Sequence, residues 1–160
     1  MGKKFELTDK FIINVFGIKL FQIKCTKSFK YAQKGDLGGY VEKEGNLDQE
    51  NDAWVYGDAQ VSGNARVYGD ARVYGNAQVY GDANIKNNNE HCGFDGFGSC
   101  NRHTHAYLTK EKKVEITCGC FRGSIEEFEK KVEETHSGTI YEKQYKAIIN
   151  VIKIKFGLTD

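Results

Sequence analysis

The chain of 160 residues has almost no charge imbalance, with 23 basic side chains against 22 acidic ones and a net charge of +1. That balance excludes a general nucleic-acid binder, which needs a basic footprint, and a DNA mimic, which needs an acidic excess. Long hydrophobic runs are also missing. The most apolar stretch, Phe11 to Ile23, is interrupted by Asn14, Lys19 and Gln22 and is too short to cross a bilayer. No signal-peptide pattern is found, so a soluble intracellular protein is expected. The five cysteines are odd in number and irregularly spaced, which argues for reduced thiols rather than a disulfide framework. Proline is absent altogether. At this length the composition supports one repeat domain and a small second domain.

What the chain does have is an internal repeat. Six hexads, AWVYGD, AQVSGN, ARVYGD, ARVYGN, AQVYGD and ANIKNN, run from Ala53 to Asn88. Alanine recurs at 53, 59, 65, 71, 77 and 83, and an aliphatic follows two residues later as Val55, Val61, Val67, Val73, Val79 and Ile85. Each hexad closes on Gly or Asn followed by Asp or Asn, residues that accept positive φ and bond their own backbone in turns. A six-residue period of this kind is not helical. It predicts short strands separated by corners, with β-branched side chains stacked inward at roughly 1.5–3 kcal/mol for each full burial.

The flanks predict covers for the two ends of that stack, whose backbone would otherwise be unpaired. Phe11 to Lys24 reads as one bent strand or a hairpin around Gly17, followed by a glycine-rich lead from Lys34 to Tyr40. Past Asn89 the composition changes. Thr104–Leu108 and Val114–Thr117, around the charged turn 109–113, predict a hairpin. Ser124 predicts a helix N-cap with Glu127 at the capping-box position, and Ile125, Phe128 and Val132 form an apolar stripe to about Thr135. A second helix is predicted from about Ile140 to Phe156. The expected division is 1–40 as a β cap and lead-in, 41–90 as the repeat and 91–160 as a ββαα module.

The hexads resemble the repeat of left-handed parallel β-helices, in which three hexads make one triangular coil. With the degenerate hexads VEKEGN and LDQEND added at Val41, the match spans 48 residues, or about 2.7 coils. The resemblance implies the left hand, against the usual rule for parallel crossovers. It also implies that positions 18 apart stack, so that Tyr56 lies under Tyr74 and Asp48 under Arg66. The strings GDLGGYVEKEGNLDQENDAWVYGDAQV and CGCFRGSIEEFEKKVEETHSG resemble segments of phage and prophage proteins that join hexapeptide coils to a small α+β tail. That resemblance implies a mobile-element origin, the cytoplasm of a bacterial host and a homotrimer with three equivalent clefts.

The candidate binding residues lie mostly on the outer faces of the coil: Tyr56, Tyr68, Tyr74 and Tyr80 after the inward aliphatics, and Arg66 and Arg72 before them. Arg102 and Arg122 in the tail add possible phosphate contacts. Tyrosine and arginine dominate interfaces, and the bland reading is a solvated ladder in which tyrosine merely suits strands. His91, Cys92, Cys100, His103, His105, Cys118, Cys120 and His136 form a cluster of zinc-type residues, but Cys118 and Cys120 are spaced as CxC where structural zinc pairs use CxxC or CxxxxC. Cys118 and Cys120, spaced to share a strand face, and His136 are the weak metal candidates. Cys120, four residues before the Ser124 cap, is also weighed with His136 as a nucleophile and base.

Hexapeptide-repeat proteins include acyltransferases, which place a catalytic histidine on or beside the coils and a protruding loop over the neighbouring subunit. This repeat has no histidine between Val41 and Glu90, and its hexads, over about 2.7 coils, leave no insertion for such a loop. The preferred expectation is therefore a non-enzymatic, cofactor-free binding protein of phage type that acts in counter-defence. It would sequester a small nucleotide messenger or block a host defence protein. Acyl transfer is the alternative, and a structural or scaffold role is the third.

Overall fold

A computed structural model of the chain describes residues 2–159. The architecture is mainly β with two helices at the carboxyl end. Strands β1 (Phe5–Ile13), β2 (Lys19–Cys25) and β3 (Leu37–Val41) lead into the two-residue strands of the repeat. These are β4 (Trp54–Val55), β5 (Gln60–Val61), β6 (Arg66–Val67), β7 (Arg72–Val73), β8 (Gln78–Val79) and β9 (Asn84–Ile85). The tail holds β10 (His91–Phe97), β11 (Arg102–Leu108), β12 (Val114–Cys118) and β13 (Phe121–Ser124), then α1 (Ile125–His136) and α2 (Ile140–Lys155).

The repeat strands pair in parallel as three short, separate ladders rather than one continuous sheet. Val55 pairs Val73, Val61 pairs Val79 and Val67 pairs Ile85, each 18 residues apart. Every inward Ala and aliphatic of the six hexads is buried. Five corner glycines, Gly57, Gly63, Gly69, Gly75 and Gly81, have φ between +56° and +69°, the left-handed region that a corner of two strands requires.

The first two hexads are out of step with the others. Val41 pairs Val61 and Leu47 bridges to Val67, both across 20 residues. The two extra residues lie in the segment between Leu47 and Ala53, where the Asp48 carboxylate accepts from the Glu50 amide at 2.9 Å and the Asn51 side chain at 2.6 Å. The expected stacking of Asp48 under Arg66 is therefore wrong. Asp48 donates its own amide to Val67 O and lies beside Tyr68.

At the amino end the apolar run is a hairpin, β1 with β2, whose turn is held by Asn14 Oδ1 accepting from the amides of Phe16 and Ile18. β2 continues antiparallel onto β3, so the cap extends one ladder of the repeat. Phe5 and Phe29 meet the buried Trp54 edge-on, which closes the first rung. At the other end the tail is a four-stranded antiparallel meander, β10-β11-β12-β13, and not the expected two strands. Alternation sends Tyr107 into the core of the repeat and its neighbour Ala106 into a second core, with Ile116, Phe128, Val132, Tyr145, Ile149 and Ile152. The meander thus has one face on the coil and the other under the helices. Thr117 donates to Gln78 O at 2.7 Å and Lys110 to Asp82 O at 2.8 Å across the coil side. No helix is long and apolar enough to cross a membrane among the described residues.

Candidate functional site

The meander's coil-facing side assembles groups that the chain spaces far apart. On β11, residues 103, 105 and 107 share one face, and on β10 the register places Gly93 opposite His105 and His91 opposite Tyr107. Asp95, Gly93 and His91 therefore line up against His103, His105 and Tyr107. Gly93 contributes no side chain, and the space is taken by imidazole: a Cβ built there would stand 2.5 Å from His103 Cε1 and 2.8 Å from His105 Nδ1.

The result is a continuous chain of hydrogen bonds. Asp95 Oδ1 lies 2.6 Å from His103 Nδ1, His103 Nε2 lies 2.9 Å from His105 Nδ1, and His105 Nε2 lies 2.9 Å from His91 Nδ1. His91 Nε2 ends the chain 3.4 Å from Asn88 Oδ1. Asn88 Oδ1 also accepts the Arg72 amide at 2.9 Å, occupying the place of a further rung on the Val55–Val73 ladder. Asp95 is open to solvent while His91 and His105 are buried. Burial pushes the His91 imidazole down to about 4 and holds His105 well below its ordinary value, with His91 and His103 acting in the same direction.

Arg72 and Tyr74 of the repeat line, together with this chain, a cleft of about 240 Å³. The Arg72 guanidinium lies 5.0 Å above the Tyr31 ring, and among the described residues no carboxylate pairs with it. Tyr74 is 62 % exposed. Tyr56 lies one rung away, as the spacing predicts, and donates to Tyr31 O at 3.4 Å. Burial raises its phenol, with Arg72 opposing.

The other candidates are scattered. Arg66 is exposed with its guanidinium 4.8 Å over Tyr68, whose hydroxyl accepts from Asn84 at 2.9 Å on a different ladder. Tyr80 does not face outward. It is 2 % exposed beneath Phe16 of the hairpin turn, its hydroxyl donates to Gln60 at 2.9 Å, and burial pushes it up to about 12. Arg122 is held by Glu115 at 2.6 Å and lies across the Gly81 corner.

Arg102 lines a second, smaller cleft of about 110 Å³ in the tail, together with Cys118, Cys120 and His136. These three do not act as ligands of one ion. Cys118 is buried with Thr104 Oγ1 at 3.3 Å and Tyr145 Oη at 3.8 Å, and the His136 ring packs on Tyr141 and Tyr145. Cys120 occupies the exposed turn after Gly119, at φ +59°. β12 ends at Cys118, so it is the turn rather than strand alternation that brings Cys120 to the same cleft. The turn also sets Cys120 apart from the α1 N-terminus by the whole of β13. No group of three or more His, Cys, Asp or Glu side chains able to hold a metal ion occurs among the described residues.

Arg72 and Tyr74 are thus the named binding residues that the fold brings into one cleft. Asn88 and Asp95 carry no signal of their own in the sequence, and His91, His103 and His105 stand there only within a zinc-type cluster. Two short patterns signal them, His91-x-Gly93-x-Asp95 and His103-x-His105, once both are placed on adjacent strands.

In comparison with known families, residues 59–75 and 65–81 match the model described as the YdcK beta solenoid repeat. The match covers the middle of the hexads and leaves both flanks outside it. No curated protein matches the sequence.

Proposed function

We propose that the protein is a non-enzymatic binding protein that captures a small anionic, nucleotide-like ligand in the cleft between repeat and tail. One observation carries this reading: Arg72, without a carboxylate partner, and the exposed Tyr74 open onto the same cleft as a row of histidines. A guanidinium offers a planar fork of donors to a phosphate, and an exposed tyrosine ring offers a stacking surface for a base. The β-solenoid match supports a rigid support for that cleft, and the resemblance to coiled hexapeptide proteins supports a left-handed winding. Resemblance to phage and prophage proteins supports counter-defence as the setting, with sequestration of a host messenger and a homotrimeric assembly. The burial of Tyr80 under the protein's own hairpin leaves the Tyr74 and Tyr68 faces for such contacts.

The test is calorimetry and native mass spectrometry of the purified protein against cyclic nucleotides and ADP-ribose-type messengers, with Arg72→Ala in parallel. Binding by the native chain, weakened about tenfold or more in the variant, is expected, since loss of a charge-assisted pair costs roughly 1.5–3 kcal/mol. No co-purified mass and no affinity for any of these compounds would overturn the reading.

A further inference from the structure

The histidine chain can be counted proton by proton. Its central ring, His105, uses opposite nitrogens for its two neighbours, Nδ1 toward His103 and Nε2 toward His91. The three rings therefore do not converge on a single point, as ligands of one metal ion must. They form a line of four links: Asp95 to His103, His103 to His105, His105 to His91, and His91 to Asn88. Three neutral imidazoles carry three N–H groups. If each ring carries its proton on Nδ1, the three inner links are made and His91 Nε2 turns a lone pair toward the Asn88 carbonyl. That outer link is the longest of the four at 3.4 Å.

One additional proton completes the line. It enters at His91 Nε2, which then donates to Asn88 Oδ1, and no inner link has to break. Concerted transfer along the row moves the charge to His103 without any ring turning: His91 Nδ1–H passes to His105 Nε2, and His105 Nδ1–H to His103 Nε2. His103 ends as an imidazolium against the exposed Asp95 carboxylate, with all four links satisfied. A second proton on the rings would set two N–H groups against each other across a 2.9 Å contact.

We propose that Asp95, His103, His105 and His91 form a proton store of capacity one, whose filling offsets the Asp95 charge and leaves the Arg72–Tyr74 cleft with a net positive charge for a phosphate group. The choice of ligand rests on the binding function proposed above; the store itself does not. The groups that face it are Asp95 and Cys92 on β10, Glu90 just before it, Arg72 and Tyr74 on the repeat and Lys155 at the end of α2. Of these, Asp95 is the carboxylate in direct contact, while Glu90 lies 3.6 Å from Lys112. Burial opposes charging of the two inner rings, and so assigns the resident charge to His103 beside its counter-ion.

The test uses the purified full chain labelled with 15N-histidine and follows the ring nitrogens by NMR between pH 4.5 and 8. His91, His103 and His105 are expected to shift with one common midpoint and a summed uptake of one proton. Asp95→Asn should lower the common midpoint by about one pH unit, the size expected for loss of one adjacent opposite charge. His105→Gln should separate the curves of His91 and His103. Three independent midpoints, a summed uptake above one proton, or rings that never titrate before unfolding would each overturn the store. Inorganic phosphate added at pH 5.5 and 7.5 then tests the ligand: tighter binding at the lower pH, lost in Arg72→Ala, supports the cationic site. A common midpoint without phosphate binding at either pH would keep the store and overturn the choice of ligand.

Discussion

Gly69 and Gly75 occupy equivalent corners of the repeat, at φ +65° and +69°, but their surroundings differ. A side chain at Gly75 would meet only the edge of Asp95, 3.8 Å away, whereas at Gly69 it would collide with the Lys86 carbonyl oxygen. Gly75→Ala is expected to cost about 1–2 kcal/mol, the strain of a left-handed alanine. Gly69→Ala adds displacement of a backbone carbonyl and should cost about twice as much; urea denaturation of the two variants reads the difference. Tyr80→Phe removes one hydrogen bond to Gln60 from under the hairpin and should cost about 1 kcal/mol by the same measurement. The hexads announce these corners, because glycine recurs where φ must be positive. They do not announce which tyrosine is covered. That depends on Phe16, which lies 64 residues earlier and meets Tyr80 only after the hairpin forms.

Elements differ in how much of them is local. α1 begins where the capping box places it: Ser124 Oγ accepts from the Glu127 amide at 3.1 Å and Glu127 returns to the Ser124 amide at 2.8 Å. Ser124→Ala should cost about 1 kcal/mol in thermal or urea unfolding, with Ser124→Gly closer to neutral. Both helices and the β11–β12 hairpin are legible because capping, periodicity and a charged turn are contiguous in the chain. β10 and β13 are not. β10 carries two glycines and a histidine in seven residues, and β13 is the four residues Phe-Arg-Gly-Ser. Neither shows the alternation of a half-buried strand, and each exists because a neighbour with stronger β character pairs with it. The candidate site follows the same division. Arg72 and Tyr74 are readable from the repeat alone, whereas the histidine chain needs the β10–β11 register to bring two patterns together.

At the scale of the whole molecule, the coil-facing side of the meander joins the repeat to the tail, and its histidines make that junction sensitive to acid. Above about pH 6.5 the imidazoles of His91 and His105 are neutral in the folded and unfolded chains alike, so their contribution to stability is fully present. As pH falls below that value the unfolded rings take up protons, while burial keeps His91, pushed down to about 4, and His105, held well below its usual value, neutral in the fold. The unfolded state then binds more protons, and stability is lost progressively from about pH 6.5 toward pH 4. Each ring withheld from protonation steepens the loss by up to about 1.4 kcal/mol per pH unit. With three rings charged in the unfolded chain and one proton held by the folded store, the slope should approach about 2.7 kcal/mol per unit. Guanidinium midpoints at pH 7, 6 and 5 measure it. His91→Gln should flatten the slope even if it lowers stability at pH 7, because glutamine has no proton to gain. A native chain whose stability is unchanged between pH 7 and pH 5 would show that the rings titrate alike in both states, and that the junction holds repeat and tail together without them.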